Sequence, residues 1–485
     1  MLFSTYTFVY FLFLVVLVRW ALPRLAVPWL LFASYVFYLS WDPRYGVLLL
    51  GATAGSWLLG LAMERAPRLR RLWVTLGVVT SLLLLGFFKY AQFTLDTLWS
   101  LGLPGASPVL GIVLPLGISF FTFQALSYVV DVYRGAPAVR SPVAYALYIS
   151  FFPQLIAGPI VRANELVPQL LERQPFRPGQ FASGVDLLLR GLLKKVVLAD
   201  RFAMVSDLVF ADPTGHSAAM TALGVLCYAG QIYCDFSAYT DIARGAGRML
   251  GFELPENFRL PYLSASPTEF WRRWHITLSR WLRDYLYIPL GGNRHGEGRR
   301  MLNLVITMAL GGLWHGASFT FVVWGLLHGF ALLLHRAWVR LTRGSSIEDL
   351  ARRGDAVEVS VARSRLVFIG LYRALATLLT FAFVCFAWVF FRSPDFASAL
   401  GLLGQLLRGG TALVQPEGGL RLVSVALIAL GAAHLLGLSP RPAALWRRLS
   451  ARRAFAPLRG LVWALAVLAC YLLSARPSSF IYFQF

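Results

Sequence analysis

Charged residues are scarce in this chain. Asp, Glu, Lys and Arg make up 14% of its 485 residues, whereas about 25% of an ordinary soluble protein is charged. Hydrophobic residues make up 58% of the chain, and the mean hydropathy is +0.63. Because so few charged side chains cannot cover a surface that faces water, a soluble enzyme, a secreted disulfide-rich domain and a disordered tail are excluded. The composition predicts a polytopic membrane protein.

Cysteine is scarce too, and acidic residues are outnumbered. The cysteines show no metal-ligand spacing such as C-x-x-C, so we predict no metal site and interpret them as small buried apolar side chains. Lys and Arg number 45 against 23 Asp and Glu, which gives a formal net charge of +22. The basic residues lie in loops between apolar runs, which favours loops that orient a membrane protein over a nucleic-acid interface. The four cysteines are Cys227, Cys234, Cys385 and Cys470.

Apolar runs long enough to cross a bilayer recur along the whole chain. A span needs about 20 mostly apolar residues, and hydropathy predicts about ten to thirteen such helices. The first run has no basic segment before it and no cleavage site after it, so we expect a retained helix rather than a signal peptide. The candidate spans are residues 5–22, 26–41, 45–63, 72–90, 110–130, 143–160, 217–234, 301–314, 318–335, 366–391, 419–437 and 459–474.

Three basic loops predict the orientation in the membrane. Residues 64–71, 336–365 and 441–459 are all rich in arginine. Because cytoplasmic loops carry an excess of Lys and Arg, we expect these three loops inside, and the N-terminus and Phe485 outside. The sequence shows no clear internal repeat, which counts against a transporter built from inverted halves.

The segment 267–285 is too polar to span a membrane and too aromatic to remain in water. Ser266 is a good N-cap, Pro267 suits the first helical position and Glu269 completes a capping box, so we predict one interfacial helix that begins here. On a helical wheel an aromatic arc opposes a charged one. The charged arc either contacts lipid headgroups or binds the phosphates of an acyl carrier. It contains Arg272, Arg273, Arg280, Arg283 and Asp284.

Three of the seven histidines lie in apolar or aromatic surroundings. His275 lies at the edge of the aromatic arc, and His315 lies between glycines in the run Leu-Gly-Gly-Leu-Trp-His-Gly-Ala. A neutral imidazole can serve as a general base near physiological pH, but the spacing is equally compatible with a hydrogen-bonded packing residue. For His328, in the middle of a predicted span, we favour a structural role. Asp241 and Arg244 have the spacing of a helical ion pair.

Several motifs together resemble the membrane-bound O-acyltransferase superfamily, and its bacterial alginate O-acetyltransferase-like branch in particular. The resemblance extends over nearly the whole chain. The main motifs are WRRWHITLS at 271–279, WLRDYLYIPLGGNR at 281–294 and GGLWHGA at 311–317, with supporting blocks at 114–124, 151–160 and 480–485.

The resemblance implies a fold and a site. The expected fold is all-α: a polytopic bundle of about 10–13 transmembrane helices, with interfacial and re-entrant helices around a central tunnel. We expect a single membrane domain over residues 1–485 with its catalytic core at 110–335. The family's catalytic histidine corresponds to His315, and the second histidine of its D-alanyl-transfer branch corresponds to His275, which would orient or donate. Candidate contacts to the acyl donor are Arg272, Arg273, Arg283 and Asn293.

The resemblance also implies an activity. We expect an acetyl group to move, in the bacterial inner membrane, from a cytoplasmic thioester to an exported, alginate-like polysaccharide. The expected partners are a periplasmic acetyltransferase-like protein and the machinery that synthesises and exports the polysaccharide. The donor is acetyl-CoA or an acyl carrier protein, with no permanently bound cofactor. No G-x-S-x-G motif is present, which favours direct attack by a hydroxyl over a covalent acyl-enzyme. The alternatives are transfer of D-alanyl or another acyl group to a different envelope polymer, a non-catalytic transporter, and an assembly subunit.

Overall fold

The computed structural model describes residue 3 and residues 5–342, 359–414, 420–439, 441–450, 455–473 and 480–481. These residues form helices and no strand, which confirms the all-α prediction. Short 3₁₀ or π segments join several α-helices, as at Pro23–Leu25 and Arg283–Tyr287. The α-helices are α1 (Tyr6–Ala21), α2 (Ala26–Leu39), α3 (Gly46–Arg65), α4 (Arg70–Leu85), α5 (Ala91–Ser100), α6 (Ile118–Tyr133), α7 (Pro142–Ser150), α8 (Phe152–Leu155), α9 (Ala163–Leu171), α10 (Pro178–Leu193), α11 (Asp200–Ala211), α12 (Ala218–Met249), α13 (Pro267–Arg273), α14 (Ile276–Leu282), α15 (Gly296–His315), α16 (Phe319–Leu341), α17 (Val359–Arg392), α18 (Phe396–Arg408), α19 (Leu420–Leu436), α20 (Arg441–Ser450) and α21 (Ala456–Leu472).

The chain is organised as two compact units. The first comprises Met1–Asp200, Ile232–Glu256 and Ala444–Phe485, and the second comprises Arg201–Gln231 and Asn257–Ala443. The long helix α12 contributes residues to both units. The predicted single membrane domain, with its catalytic core at 110–335, stays a prediction.

Membrane-spanning character is clear in the described residues. Four helical stretches there are long and apolar enough to cross a bilayer: Pro43–Arg65, Pro67–Ser100, Phe319–Leu341 and Ile369–Arg392. The pair Tyr6–Ala21 and Pro23–Leu39 adds a fifth if it is one span, bent by 111° at its break. Such a bend suits a broken or re-entrant span, since the 3₁₀ turn at Pro23–Leu25 replaces regular helix.

The other predicted spans also coincide with helices, but these are shorter or more polar. Residues 110–130, 419–437 and 459–474 fall on apolar helices of 10–17 residues, namely α6, α19 and α21. Residues 143–160 hold the two short helices α7 and α8. Hydropathy therefore located helices along the chain, and among the described residues four of these stretches, or five with the bent pair, are long and apolar enough to span by themselves.

The charges and cysteines of the sequence can be placed only in part. Residues 343–358 and 451–454, within two of the predicted cytoplasmic loops, lie outside the described residues, as do Phe485 and the three residues before it. Cys227, Cys234 and Cys385 are buried and Cys470 is half-buried, which agrees with their interpretation as apolar side chains.

The predicted helix over 267–285 is interrupted. Its start is as expected: Ser266 accepts the Glu269 amide at 3.1 Å, although the Glu269 carboxylate accepts the Ala265 amide instead of that of Ser266. The helix then ends at Arg273 and a new one begins at Ile276. The prediction of one continuous interfacial helix was therefore wrong. Periodicity did not reveal the break, because residues on both sides keep the same apolar spacing.

In the second unit, α15 and α16 form a hairpin with nearly touching backbones. Only Gly316, Ala317 and Ser318 join them, and Ser318 caps α16 by accepting the Thr320 amide at 3.3 Å. A methyl group at Gly312 would collide with the Phe321 carbonyl oxygen, and one at Gly325 would collide with the Met308 carbonyl oxygen. Small residues at such crossings allow the close backbone packing common in membrane helices.

In the first unit, a buried lysine joins several segments. Lys195 is 2% exposed, and its Nζ lies 3.0 Å from Asp200 and 2.7 Å from Asp235. The Ile481 amide donates to the other oxygen of Asp235 at 2.6 Å, and the Phe480 ring lies 4.7 Å from the ammonium. Because a buried charge without partners is costly, these contacts hold residues 480–481 firmly against α12.

Asp241 does not form the ion pair predicted from its local spacing. Its carboxylate binds Arg190 at 2.9 Å and Lys194 at 2.7 Å, whereas Arg244 donates to the Leu254 carbonyl at 3.3 Å. The structural role expected for Asp241 holds, but its partners come from α10 and the π segment that follows it.

The glycine contact in the hairpin gives the first prediction. Gly312→Ala should lower the stability of the purified protein by about 1–3 kcal/mol, since the added methyl must displace backbone atoms of α16. Thermal unfolding in detergent measures this. Gly298→Ala in the first turn of α15 is the control: no atom lies within 4 Å of the added methyl, so its unfolding temperature should be unchanged or higher. Equal unfolding temperatures for the two variants would contradict the close packing.

Candidate active site

His275 occupies the break between α13 and α14 in an unusual conformation. Its φ and ψ are 44° and 54°, in the left-handed region, where a residue other than glycine is strained by about 1–3 kcal/mol. Trp274 before it is extended, so the chain leaves α13, turns at His275 and starts α14. The imidazole is fully buried. Neighbouring contacts must stabilise this strained backbone conformation. The strain at a buried histidine indicates a functional constraint.

Asn257 supplies that support, and the sequence analysis did not single it out. Its backbone carbonyl accepts the Ile276 amide at 3.0 Å. Its side-chain Oδ1 accepts the Thr277 amide and the Thr277 hydroxyl, each at 3.0 Å, and lies 3.2 Å from His275 Nδ1. Asn257 itself is fully buried. A lone asparagine 18 residues before a histidine gives no pattern that sequence reasoning can use.

His315 is the last residue of α15, and it faces His275. The two ring centroids are 6.3 Å apart, with the ring planes inclined by 62°. Gly316 is extended and starts the hairpin connection, so His315 lies at the carbonyl end of a 20-residue helix. The partial negative charge at that end stabilises positive charge on a nearby side chain. The structure therefore brings together the two histidines predicted to be catalytic.

Aromatic rings surround the pair. Trp314 lies 6.1 Å from His275 and 5.0 Å from His315, while Trp324 and Phe391 each lie 5.2 Å from His315, centroid to centroid. His315 is 6% exposed. These rings exclude bulk water, which strengthens electrostatic interactions within the site.

The His275 side chain is neutral at physiological pH. Burial lowers the pKa of His275 to about 3, far below the ordinary value for histidine. A neutral imidazole has one donor nitrogen and one acceptor nitrogen, so His275 can exchange hydrogen bonds without adding charge to the site.

His328 lies near this pair but differs from it. It is fully buried, with the rings of Phe270, Trp271, Trp324 and Phe383 at 4.8–5.8 Å. Neither of its ring nitrogens has a hydrogen-bond partner among the residues that the structure describes. It therefore packs as an aromatic ring, as the structural interpretation of His328 requires.

A cavity of about 600 Å³ in the same unit collects three of the four predicted donor contacts. Arg272, Arg283 and Asn293 line it, and Trp271 and Ser279 form part of its wall. Arg273 does not line it: it binds Glu269 at 2.6 Å, on the other side of α13. The helical wheel placed Arg272 and Arg273 together, and the structure separates them.

The arginines that line the cavity differ in whether a neighbouring carboxylate neutralises them. Arg283 is paired with Asp284 at 2.6 Å, and Arg336, which also lines the cavity, is paired with Glu297 at 3.1 Å. Arg272 is exposed and forms no ion pair within the described ranges. It is thus the cation most available to an anionic ligand.

His335 is a further cavity residue that the sequence did not single out. Its Nδ1 lies 3.0 Å from the Thr268 hydroxyl, and both residues line the cavity. His335 follows His328 by seven residues, which is two helical turns, so the two share a face of α16. That spacing was the signal by which the sequence could have revealed His335.

Within the described part of the chain, no group of three or more His, Cys, Asp or Glu residues is arranged to hold a metal ion.

Comparison with known proteins agrees with this arrangement. The model of the membrane-bound O-acyltransferase family matches residues 132–377. A probable alginate O-acetylase of Pseudomonas aeruginosa is 41% identical over 391 residues, covering 79% of this chain and 70% of the relative. A peptidoglycan O-acetyltransferase of Helicobacter pylori is 39% identical over 404 residues, covering 77% and 72%. A teichoic acid D-alanyltransferase of Streptococcus thermophilus is 29% identical over 239 residues, covering 46% and 57%.

The chain belongs to the membrane-bound O-acyltransferase family. It is a multi-pass membrane protein and an acyltransferase enzyme. His275, His315 and all the residues that line the cavity lie within the range that the family model matches. A non-catalytic transporter and a pure assembly subunit are therefore no longer needed to explain the sequence.

The packing of His328 gives the second prediction. His328→Leu should leave the unfolding temperature unchanged or raise it, because two buried nitrogens without partners disappear while the side-chain volume stays similar. Acyl transfer should persist. Trp324→Ala provides the contrast, since loss of a buried indole costs about 3–5 kcal/mol. An unfolding temperature lowered by several degrees in His328→Leu would show that the ring is hydrogen-bonded after all.

Proposed function

We propose that the protein transfers an acetyl group from a thioester to a hydroxyl, with His315 as the general base. The observation that carries the proposal is the pair of buried imidazoles, His315 and His275, with ring centroids 6.3 Å apart in an aromatic enclosure. Proton transfer by a positioned histidine accelerates acyl transfer by about 10²–10⁴-fold. The acetylase and acetyltransferase names of the similar proteins support acetyl as the acyl group.

The proposed reaction is direct. His315 removes the proton of the acceptor hydroxyl while the hydroxyl oxygen attacks the carbonyl carbon of the thioester. This attack forms a tetrahedral intermediate with a negatively charged oxygen. The carbon–sulfur bond then breaks, the sulfur takes the proton from the His315 imidazolium, and the products are an ester and a free thiol. The carbonyl end of α15 stabilises the imidazolium between these steps. No covalent acyl-enzyme is required.

The donor binds at the arginine-lined cavity in this proposal. Acetyl-CoA and an acylated carrier protein both present a phosphopantetheine arm with anionic phosphate. Arg272 offers an exposed guanidinium for it, and Arg283, Asn293 and His335 line the same cavity. Arg273, which was also predicted to contact the donor, is directed elsewhere by Glu269 and is left out of the proposed site.

The acceptor is proposed to lie on the opposite side of the bilayer from the donor. The arginine-rich loops favour a cytoplasmic donor face and an outward N-terminus in the bacterial inner membrane. A periplasmic partner protein would then carry the acetyl group to an exported polysaccharide. The names of the similar proteins support a cell-envelope polymer, with alginate and peptidoglycan as the two examples.

Transfer of D-alanine is the second candidate. It is favoured by similarity to a teichoic acid D-alanyltransferase, with a match that covers 46% of this chain. The resemblance drawn from the sequence motifs also implies that His275 corresponds to the second histidine of that branch. Assaying acetyl and D-alanyl thioesters side by side distinguishes the two candidates, and we expect the acetyl donor to be consumed faster.

The third prediction tests His315 itself. His315→Ala should reduce transfer from radiolabelled acetyl-CoA to a polysaccharide acceptor by at least about 10²-fold, because the general base is lost. Membrane insertion and yield should stay normal. His295→Ala, an exposed histidine in a loop, serves as the control and should retain full activity. A folded His315→Ala protein with wild-type transfer would remove His315 from the mechanism.

The fourth prediction tests donor binding. Arg272→Ala should raise the KM for acetyl-CoA about tenfold, because one charge-assisted contact to phosphate is worth about 1.5–3 kcal/mol, and leave kcat nearly unchanged. The effect should shrink at high salt. Arg299→Ala, which removes an exposed arginine that does not line the cavity, is the matched control. Equal KM values for the two variants would place the donor elsewhere.

A further inference from the structure

Asn257 touches both the backbone of the strained turn and the imidazole of His275. We propose that Asn257 is a positioning residue that holds His275 in the tautomer with its proton on Nδ1, so that Nε2 carries the lone pair and accepts hydrogen bonds in the active site. This inference deepens the proposed function and rests on it. Of the two roles expected for His275, orienting or donating, it replaces donation with acceptance at Nε2.

The first step is to decide whether the Asn257 side-chain atom that faces Thr277 and His275 is the oxygen or the nitrogen of the amide. Amide oxygen and nitrogen are normally assigned from their hydrogen bonds. Here the Thr277 backbone amide, which can only donate, points at this atom from 3.0 Å. An NH₂ group in its place would set two donors against each other. The atom is therefore the oxygen, Oδ1.

The second step follows from the first. Oδ1 only accepts hydrogen bonds, and it lies 3.2 Å from His275 Nδ1. A favourable contact at this distance requires a proton on Nδ1. Because burial keeps the ring neutral, with its pKa lowered to about 3, the second nitrogen Nε2 has no proton of its own. In the neutral ring, the hydrogen bond of one nitrogen thus decides the role of the other.

The third step concerns the neighbours of the ring. The titratable side chain that faces His275 is His315 at the end of α15, and the rings of Phe258 and Trp314 cover it at 6.4 and 6.1 Å. A neutral amide beside His275 leaves the local charge unchanged, whereas a carboxylate would favour an imidazolium. A lone pair on Nε2 can accept a hydrogen bond from the hydroxyl that attacks the thioester, or from the protonated His315.

The side chain of Thr277 provides a matched control. Its hydroxyl donates to the same Oδ1 at 3.0 Å. Thr277→Val removes this hydrogen bond. It leaves in place the hydrogen bond from the backbone amide of residue 277 to Oδ1 and the contact between Oδ1 and His275. If Asn257 served only to hold the turn together, its loss and the loss of the Thr277 hydroxyl would act in the same way on the site.

The experiment combines kinetics with a direct view of the ring. In the full-length protein with acetyl-CoA, Asn257→Ala should lower kcat about 10²-fold or more with little change in KM, as expected when a catalytic imidazole adopts the wrong tautomer. Asn257→Asp keeps an oxygen acceptor at Nδ1, but its carboxylate favours the imidazolium, so its kcat should rise toward the wild-type value as the pH is raised. The kcat of Asn257→Ala should stay low at every pH, and Thr277→Val should match the wild type. Asn257→Ala with undiminished kcat, or an Asp variant as impaired as the Ala variant at every pH, would overturn the inference.

NMR of the wild-type protein decides the matter even if an Asn257 variant does not fold. Protein labelled with ¹³C,¹⁵N-histidine, with His275 assigned by its absence from a His275→Gln sample, should show the proton on Nδ1. A proton on Nε2 overturns the inference. Failure of the proposed function looks different: His315→Ala would then transfer acetyl at the wild-type rate, whatever tautomer the His275 ring adopts.

Discussion

The close backbone contact between α15 and α16 is the constraint on which the rest of the site depends. Gly312 and Gly325 let each helix touch a carbonyl oxygen of the other, so the hairpin connection is only three residues long. His315 ends one helix at this connection, and Trp324 on the other helix packs against its ring. Both helices also supply walls of the arginine-lined cavity. A wider hairpin would shift His315, the aromatic rings around it and the cavity together.

Polar groups in this fold are supported by neighbours that are distant in sequence. Asn257 holds the turn at His275, and Lys194 and Arg190 neutralise Asp241. In an apolar environment, each buried polar group needs such a partner, because water is not there to replace it. The protein therefore places a neutral, hydrogen-bonded His275 beside His315 rather than a second buried charge, which limits the electrostatic cost of the site.

The sequence predicted the helical class and the two central histidines, and the reasons are physical. Hydropathy reports burial in lipid directly, so helices such as Phe319–Leu341 were located well. Glycines on both sides of His315 marked a place of close approach. The break at Trp274–His275 was missed, since apolar periodicity continues through it and its cause, Asn257, lies outside the helix. Arg272 and Arg273 were grouped on one charged arc, although consecutive residues of a helix point about 100° apart and Glu269 binds Arg273. Asp241 was paired by a rule that considers only local neighbours.

The contact between Ile481 and Asp235 joins residues 246 positions apart in the chain. During synthesis, α12 and Lys195 leave the ribosome long before residues 480–481 do. Until then Asp235 lacks one of its hydrogen-bond donors, and Lys195 lacks the ring that covers it. Contacts of such long sequence separation form late. The first unit consequently completes this buried network only after residues 480–481 have been synthesised.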